Sequence, residues 1–511
     1  MNGPILTNGV LSRPVRLQAR PVLWPARVRY SLIFALLVLL GVGFSLAGSN
    51  LIHRFGSPSV IGIALVGPPL IVYLLWCLGR ASSKFRVLWP KLHWYHTLWL
   101  FVLASSFVIR LRDMGELQRA PLDAAALYRV GLVGITALIL IIRLVLHRTH
   151  WMSSLFRGLV GVMAAFALMC ALSTFWSVNA PFTLYKSLEY LTDVALLAAI
   201  LVTVHSVESY EVLFDWTWVL TGLLVASAWI EAPIWPHDAF EEEYMSGVLK
   251  FRISGVFPGQ GSNALGTFGA IIAVVAFARL LPAAGHKFDR AWYGFVLFVG
   301  VVTMVCTQTR SAMGGFFIGA LLVLLFTNRL RISAALGVLA AAVLAWTGAS
   351  GTLLAFLQRG QNKMQMMSLT GRVQWWSTAW EVFKQRPFSG FGAYAAGFAI
   401  WPKLGEKGFG PLHSDYIEVL VGNGIWGPVP IIIALLGTWW ILLKFLRFLP
   451  AGSLERQLAI ESVAVLAIVT TRSVVMNLII LHPPIQYFVL LGYAEYLRRR
   501  YDGHSPAAIE R

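Results

Sequence analysis

The sequence predicts an all-α polytopic membrane protein with about 14 (12–14) transmembrane helices and one large outer loop that contains short helices. Hydrophobic residues occupy 58% of the 511 positions and charged residues only 13%, whereas soluble domains average roughly 45–50% and about 25%. Apolar runs of about 20 residues, the length that crosses a bilayer, recur along the chain. A soluble enzyme, a fibrous protein and a disordered chain are excluded, because too little polar surface remains to cover a folded exterior.

The candidate spans follow directly from these apolar runs. The run Tyr416–Phe445 is too long for one simple span, so we expect it to begin as a helix outside the bilayer. The spans are predicted near 30–49, 60–79, 93–110, 127–146, 158–175, 188–205, 212–231, 263–281, 291–308, 311–327, 332–348, 416–446, 457–476 and 485–497.

The basic residues predict the orientation of the chain. The first 29 residues are rich in arginine, and Arg498, Arg499 and Arg500 follow the last apolar run. Cytoplasmic segments carry an excess of Lys and Arg, so both ends are predicted to be cytoplasmic and the number of spans even. The net charge of +18 is explained by this orientation and by anionic lipid or pyrophosphate partners, and nucleic acid is not expected. The predicted organisation is a basic cytoplasmic tail (1–29), transmembrane helices 1–11 (30–348), a large outer loop (349–415), C-terminal transmembrane helices (416–500) and a second cytoplasmic tail (501–511).

The loop 349–415 is unusually long, and long loops tend to be functional. Within it, Val373, Trp376, Trp380 and Phe383 recur on one face of a predicted helix that ends before Pro387. Such an aromatic stripe is typical of a helix in the membrane interface. Packing of the stripe against the transmembrane bundle is an equally good interpretation.

Several arginines are predicted at the outer surface of the membrane. A charged arginine near the bilayer costs free energy unless a partner compensates its charge. Its planar guanidinium group can bind two phosphate oxygens at once. Arg252 opens a Gly- and Pro-containing segment before a span, Arg310 lies in a short outer turn, and Arg372 begins the aromatic helix, with Thr370 as its predicted N-cap. Together they indicate an anionic, membrane-bound ligand, best matched by a lipid pyrophosphate, although each arginine alone could simply reach lipid headgroups. The full outer set is Arg252, Arg310, Arg359, Arg372, Arg472 and His413.

His413 is the candidate general base. It precedes Ser414, which can cap the following helix, and histidine transfers protons well near neutral pH. A purely structural histidine is the alternative. The sequence has no His/Asp cluster with metal-ligand spacing, no P-loop and no dinucleotide fingerprint, and its three cysteines all lie in apolar runs. We therefore expect no metal and no cofactor.

An ordered set of short motifs over roughly residues 160–450 resembles the O-antigen ligase and polysaccharide polymerase superfamily of bacterial inner membranes. The chain differs from that family in having Ser414 where Asn is usual, and in carrying more N-terminal spans. The motifs are Trp176-Ser177-Val178-Asn179-Ala180-Pro181, Arg252-Ile253-Ser254-Gly255, Thr309-Arg310-Ser311, Leu369-Thr370-Gly371-Arg372, Pro387-Phe388-Ser389-Gly390-Phe391-Gly392, His413-Ser414-Asp415-Tyr416-Ile417-Glu418 and Gly424-Ile425-Trp426-Gly427.

The resemblance implies a metal-independent, inverting glycosyltransferase whose active site faces the periplasm and whose donor is a glycan on undecaprenyl pyrophosphate. His413 matches the family histidine proposed to activate the acceptor hydroxyl, while Arg310 and Arg372 match arginines that hold the pyrophosphate. Arg252 is a third candidate for that ligand. Asp415 and Glu418 are expected to orient the imidazole.

The leading predicted function is polymerisation of lipid-linked repeat units of a surface polysaccharide, either O-antigen or exopolysaccharide. The close alternative is a ligase that transfers the finished glycan to lipid A core or to a protein, and the extra N-terminal spans favour the polymerase. An anion transporter is the alternative from another class, but its charged residues should gather near the bilayer midplane and not at one face. The expected partners are the lipid-linked donor, a glycan or lipid A core acceptor, membrane lipids, and a chain-length regulator or flippase as a candidate protein partner.

Overall fold

The computed structural model describes residues 93–105, 124–147, 150–242, 249, 251–256, 258–282, 289–331, 334, 337, 350–358, 361, 372–404 and 412–502. The predicted N-terminal tail, the spans near 30–49 and 60–79, most of the span near 332–348, and Thr370 lie outside these residues.

The described part of the chain is almost entirely α-helical, as the composition predicts. Its one small sheet is an antiparallel hairpin of β1 (Phe240–Glu242) and β2 (Phe251–Ile253). The helices are α1 (Trp94–Ala104), α2 (Ala124–His147), α3 (Gly158–Leu172), α4 (Ala180–Thr203), α5 (Val207–Glu231), α6 (Pro236–Ala239), α7 (Ser262–Leu280), α8 (Arg290–Thr307), α9 (Arg310–Phe326), α10 (Ser350–Gln358), α11 (Arg372–Phe383), α12 (Ala396–Ile400), α13 (Asp415–Asn423), α14 (Pro428–Leu446), α15 (Leu454–Ser473) and α16 (Ile485–Tyr501).

Six described helices are long and apolar enough to cross a membrane. Two shorter apolar helices, α1 and α9, accompany them. The six segments are Leu127–Leu146, Gly158–Trp176, Val207–Glu231, Ser262–Leu280, Arg290–Thr307 and Pro428–Leu446. The membrane class of the sequence is therefore supported, while the total of about fourteen spans stays a prediction. The long run at 416–446 is divided, because Gly424–Trp426 separates the short helix α13 from α14, which is one of the six candidate spans. That α13 lies outside the bilayer stays a prediction.

The centre of the bundle is formed by α15 and α16, most of whose residues are completely buried. One arginine inside the bundle is paired there: Arg279 of α7 contacts Glu461 of α15 at 3.0 Å and Asp215 of α5 at 2.5 Å. The segment 474–484 between α15 and α16 is not helical, yet Ile479 and Ile480 are fully buried in protein.

Three of the sequence motifs meet in a single interlocked turn structure. Phe391 N–H donates to Val421 O at 3.0 Å, and Gly392 N–H donates to Gly422 O at 2.9 Å, which joins the turn at 387–392 to the end of α13. Val178 N–H donates to Phe391 O at 2.9 Å from the 176–181 motif. These bonds fix α13, and therefore the residue that precedes it, relative to α4.

Gly392 cannot carry a side chain in this arrangement. Its φ of +100° is unfavourable for other residues, and an added Cβ would lie 2.1 Å from the Oγ atom of Ser177.

We expect Gly392→Ala to destabilise the protein by more than the roughly 1–2 kcal/mol of left-handed strain alone, because the Cβ also clashes. Thermal unfolding of the purified protein in detergent should show a Tm several degrees lower than that of the wild type. Gly131→Ala is the matched control, since Gly131 on α2 has open space around its Cβ position. Equal Tm values for the two variants would contradict the interlocked turn.

Candidate active site

His413 is held in an unusual backbone conformation at the start of α13. Its φ is +54°, in the left-handed region. The chain on both sides is fixed: Ser414 caps α13 by accepting a hydrogen bond from Ile417 N–H, as predicted. Leu412 O accepts the indole N–H of Trp376 at 3.1 Å. Strained backbone of this kind persists only where its surroundings determine it, and it is common at functional sites.

The imidazole lies between an aromatic pair and two arginines. Trp375 packs on it with ring centroids 5.8 Å apart and 31° between the planes, and Trp401 meets Trp375 edge-on at 5.3 Å. Burial, followed by the positive charges of Arg372 and Arg472, lowers the pKa of His413 to about 4. The ring is therefore neutral at physiological pH, the form that can accept a proton.

Arg310 and Arg372 each occupy the first position of a helix, which the sequence predicts for Arg372, whereas Arg310 is predicted in the turn itself. Gln308 and Thr309 form the short turn between α8 and α9, and Arg310 follows them. Its guanidinium donates to Leu357 O at 3.1 Å and to the side chain of Gln361 at 2.9 Å. A positive residue in the first turn opposes the helix dipole.

Arg372 is half-buried at the start of α11. Burial and then the nearby charge of Arg310 lower its pKa. The charge of Arg310 thus acts on Arg372, and the charge of Arg372 acts in turn on His413.

Arg472 completes this positive cluster. It lies at the end of α15, is fully buried, and interacts electrostatically with both His413 and Arg372. The sequence identified Arg472 as one of the outer arginines but did not select it for the site. The signal that distinguishes it, complete burial among α7, α9 and α15, cannot be read from the local sequence. Arg359, another of the outer arginines, lies outside the described residues.

Arg252 is placed differently from the other predicted phosphate ligands. It lies on β2, opposite Glu241 of β1, and forms an ion pair with that carboxylate at 3.0 Å. The hairpin is fastened to the turn that carries Arg310, because the side chain of Gln308 donates to Phe251 O at 2.8 Å. Arg252 therefore lies on a hairpin that contacts Gln308, two residues before Arg310, and has an acidic partner already in contact.

Asp415 and Glu418 do not act as the sequence predicted. The carboxylate of Asp415 accepts the backbone N–H groups of Leu478, Ile479 and Ile480 at 3.0–3.3 Å. Glu418 accepts Leu412 N–H at 2.9 Å. Both side chains are buried, and burial raises each pKa to about 7. They bind backbone rather than the imidazole: Asp415 anchors the segment 474–484, and Glu418 holds the residue before His413.

The segment 474–484 covers the connection that the predicted spans near 457–476 and 485–497 leave between them. Its participation depends on contacts with α13, which lies more than fifty residues earlier in the sequence, so no local pattern reveals it.

Comparison with known proteins identifies a family for part of the chain. Residues 295–432 match the family model described as O-antigen ligase. The matched segment includes Arg310, Arg372 and His413, whereas Arg252 and Arg472 lie outside it. None of the curated proteins matches the chain.

We expect Asp415→Asn to loosen the segment 474–484, because an amide replaces a carboxylate that accepts three backbone N–H groups. A buried donor left without an acceptor costs about 1–3 kcal/mol. Hydrogen exchange measured by mass spectrometry should be faster for the amides of residues 478–480 than in the wild type. Asp502→Asn is the control, since Asp502 contacts Lys444 at an exposed site where ion pairs contribute little. Unchanged exchange at 478–480 would refute the anchoring role.

Proposed function

We propose that this chain, a member of the O-antigen ligase and polymerase superfamily, polymerises undecaprenyl-pyrophosphate-linked repeat units of a surface polysaccharide. The observation that carries the proposal is one cluster in which a neutral His413 adjoins Arg372 and Arg472, with Arg310 beside Arg372. A glycosyl transfer from a lipid pyrophosphate needs these two components: a proton acceptor and fixed positive charge.

In the proposed reaction, the acceptor hydroxyl attacks the anomeric carbon of the donor sugar from the face opposite the pyrophosphate, which inverts its configuration. His413 takes the hydroxyl proton as the new C–O bond forms. The bond between the anomeric carbon and the pyrophosphate oxygen breaks, and undecaprenyl pyrophosphate leaves as an anion. Fixed guanidinium groups stabilise charge that develops on the leaving group, so the proposed chemistry is metal-independent and needs no general acid.

Donor binding should also strengthen the base. The charges of Arg372 and Arg472 contribute to the low pKa of His413. A bound pyrophosphate would offset these charges, and the pKa of His413 would then rise toward its ordinary value. Because proton transfer is most efficient when the pKa of the base lies near the working pH, the base becomes effective when the donor is in place.

The site is proposed to face the periplasm of the bacterial inner membrane. The support is the excess of basic residues at both chain ends, which predicts cytoplasmic termini and places 349–415 on the opposite side. Such a site meets a flipped, lipid-linked donor on the side where surface polysaccharides are assembled. A chain-length regulator or flippase remains the candidate protein partner.

A ligase is the second candidate function, and the description of the matched family favours it. Polymerase and ligase share the donor and the chemistry and differ only in the acceptor. The acceptor is a growing glycan for the polymerase, and lipid A core or a protein for the ligase. Transport is less well supported, because the site arginines lie at helix ends, where α9 and α11 begin and α15 ends.

We expect His413→Ala to bind the lipid-linked donor but to lose about 10²–10⁴-fold in transfer rate, the usual cost of removing a general base. The measurement uses purified protein and lipid-linked glycan, with transfer and donor binding assayed at equal folded concentration. His205→Ala, which changes an exposed histidine just after α4, is the matched control. Transfer by His413→Ala within about threefold of the wild type would make His413 a structural residue.

The acceptor can be identified from a deletion strain. Without the protein, a polymerase defect should leave single repeat units on surface glycolipid, because each unit is still made and transferred. A ligase defect should instead leave long, lipid-linked chains that are absent from the surface. Analysis of the lipid-linked and surface glycans distinguishes the two functions, and normal amounts of both would contradict the proposed function altogether.

A further inference from the structure

We propose that Arg472 is a positioning residue for the donor pyrophosphate: it is a buried permanent charge that attracts the anion and fixes the start of α9, from which Arg310 extends. This inference rests on the proposed function and adds to it a residue that lies outside the matched family segment.

Arg472 joins three helices at the base of the site. From α15 its Nε donates to the hydroxyl of Thr267 on α7 at 2.9 Å, and one terminal nitrogen donates to Asn263 O at 2.9 Å. The other terminal nitrogen donates to the hydroxyl of Ser311. Because Ser311 directly follows Arg310, this contact fixes the helix start that presents Arg310 to the site.

The partners of Arg472 within the described residues are neutral. Besides the oxygens on α7 and α9, the guanidinium contacts the sulfur of Met476 at 2.9 Å. Hydrogen bonds to neutral atoms satisfy its donors but leave its charge without a counter-charge. A fully buried charge in that condition is costly.

Arg279 shows what a structural arginine looks like in the same bundle. It is 3% exposed and also lies between α7 and α15, but it has two carboxylates, Glu461 and Asp215, at 3.0 and 2.5 Å. The bundle thus supplies acidic partners where a buried arginine has only a structural role. The different environment of Arg472 indicates that its counter-charge comes from a ligand.

The position of Arg472 also suits a pyrophosphate bound within the site better than a phospholipid headgroup at the membrane surface. Its charge acts on Arg372 and on His413, and Arg310 in turn acts on Arg372. Among the described residues of α13, the charged groups next in sequence to His413 are Asp415 and Glu418, and both are engaged by backbone N–H groups. One pyrophosphate between Arg310 and Arg372 would relieve the repulsion among all three guanidinium groups.

The first test measures binding of undecaprenyl pyrophosphate to the full-length protein in lipid nanodiscs. We expect Arg472→Met to weaken binding about tenfold or more and to flatten its salt dependence, because one positive charge is lost. Arg472→Lys should retain most of the affinity. Thr267→Val is the matched control, since it removes a hydrogen bond to Arg472 and keeps the charge, and it should bind within about threefold of the wild type.

The second measurement separates an electrostatic role from a structural one. The imidazole of His413 is followed by NMR of histidine-labelled protein in the absence of donor, and His413→Gln assigns its signal. Arg472→Met should raise the pKa of His413, because a nearby positive charge is removed, whereas Thr267→Val should leave it unchanged. The Tm of Arg472→Met should not fall, since the cost of an unneutralised buried charge disappears.

Equal donor binding by Arg472→Met and the wild type would overturn this inference alone. A lower Tm with lost binding and an unchanged His413 pKa would also overturn it, because Arg472 would then be structural. Failure of the wild type to bind undecaprenyl pyrophosphate would overturn the proposed function together with this inference.

Discussion

The backbone pairing between the turn 387–392 and the end of α13 is the constraint on which the rest of the site depends. Gly390, Gly392 and Gly424 adopt positive φ values at points where an added Cβ would meet neighbouring backbone or the side chain of Ser177. Close approach of main chain to main chain is thus what orients α13. His413 precedes α13 and inherits its position from this contact.

The site itself is organised by charge rather than by shape. Positive side chains arrive from α9, α11 and α15, while the nearby carboxylates of α13 are used by backbone N–H groups. The protein scaffold therefore holds these positive side chains in one cluster although their charges repel one another. Such preorganised charge can stabilise a leaving anion without rearrangement during the reaction, which is the arrangement expected of a transferase that acts on a pyrophosphate.

The sequence predicted the parts of this structure that depend on local pattern. Composition identified the helical membrane class, the short outer turn placed Arg310, and Ser414 was correctly predicted as the cap of α13. It could not predict that Asp415 binds the segment 474–484, because the partners are backbone groups more than fifty residues away. Burial decides the role of Arg472 in the same way. The local sequence around an arginine near the end of an apolar run is the same whether that arginine faces lipid or three packed helices.

The aromatic stripe of α11 shows why two interpretations of one pattern stayed open. Val373 and Trp380 are about half exposed, whereas Phe383 is buried and Trp376 binds Leu412 O. The same face therefore contains both surface and packing residues. Periodicity identifies the face of a helix, but the residues packed against it are determined by the tertiary structure.

The anchoring of residues 478–480 by Asp415 has a consequence for how this chain can be divided. The segment that matches the family, 295–432, ends before α15 and α16, yet the carboxylate of Asp415 within it accepts its hydrogen bonds from backbone between those two helices. The turn 387–392 likewise depends on the segment before α4, because Val178 N–H donates to Phe391 O. The family segment is therefore not an autonomous module: a chimaera with breakpoints at its boundaries would keep His413, Arg310 and Arg372 but would combine them with foreign backbone. Exchange of this activity between homologues is compatible with the structure only when the region from residue 176 to the end of α16 is transferred together.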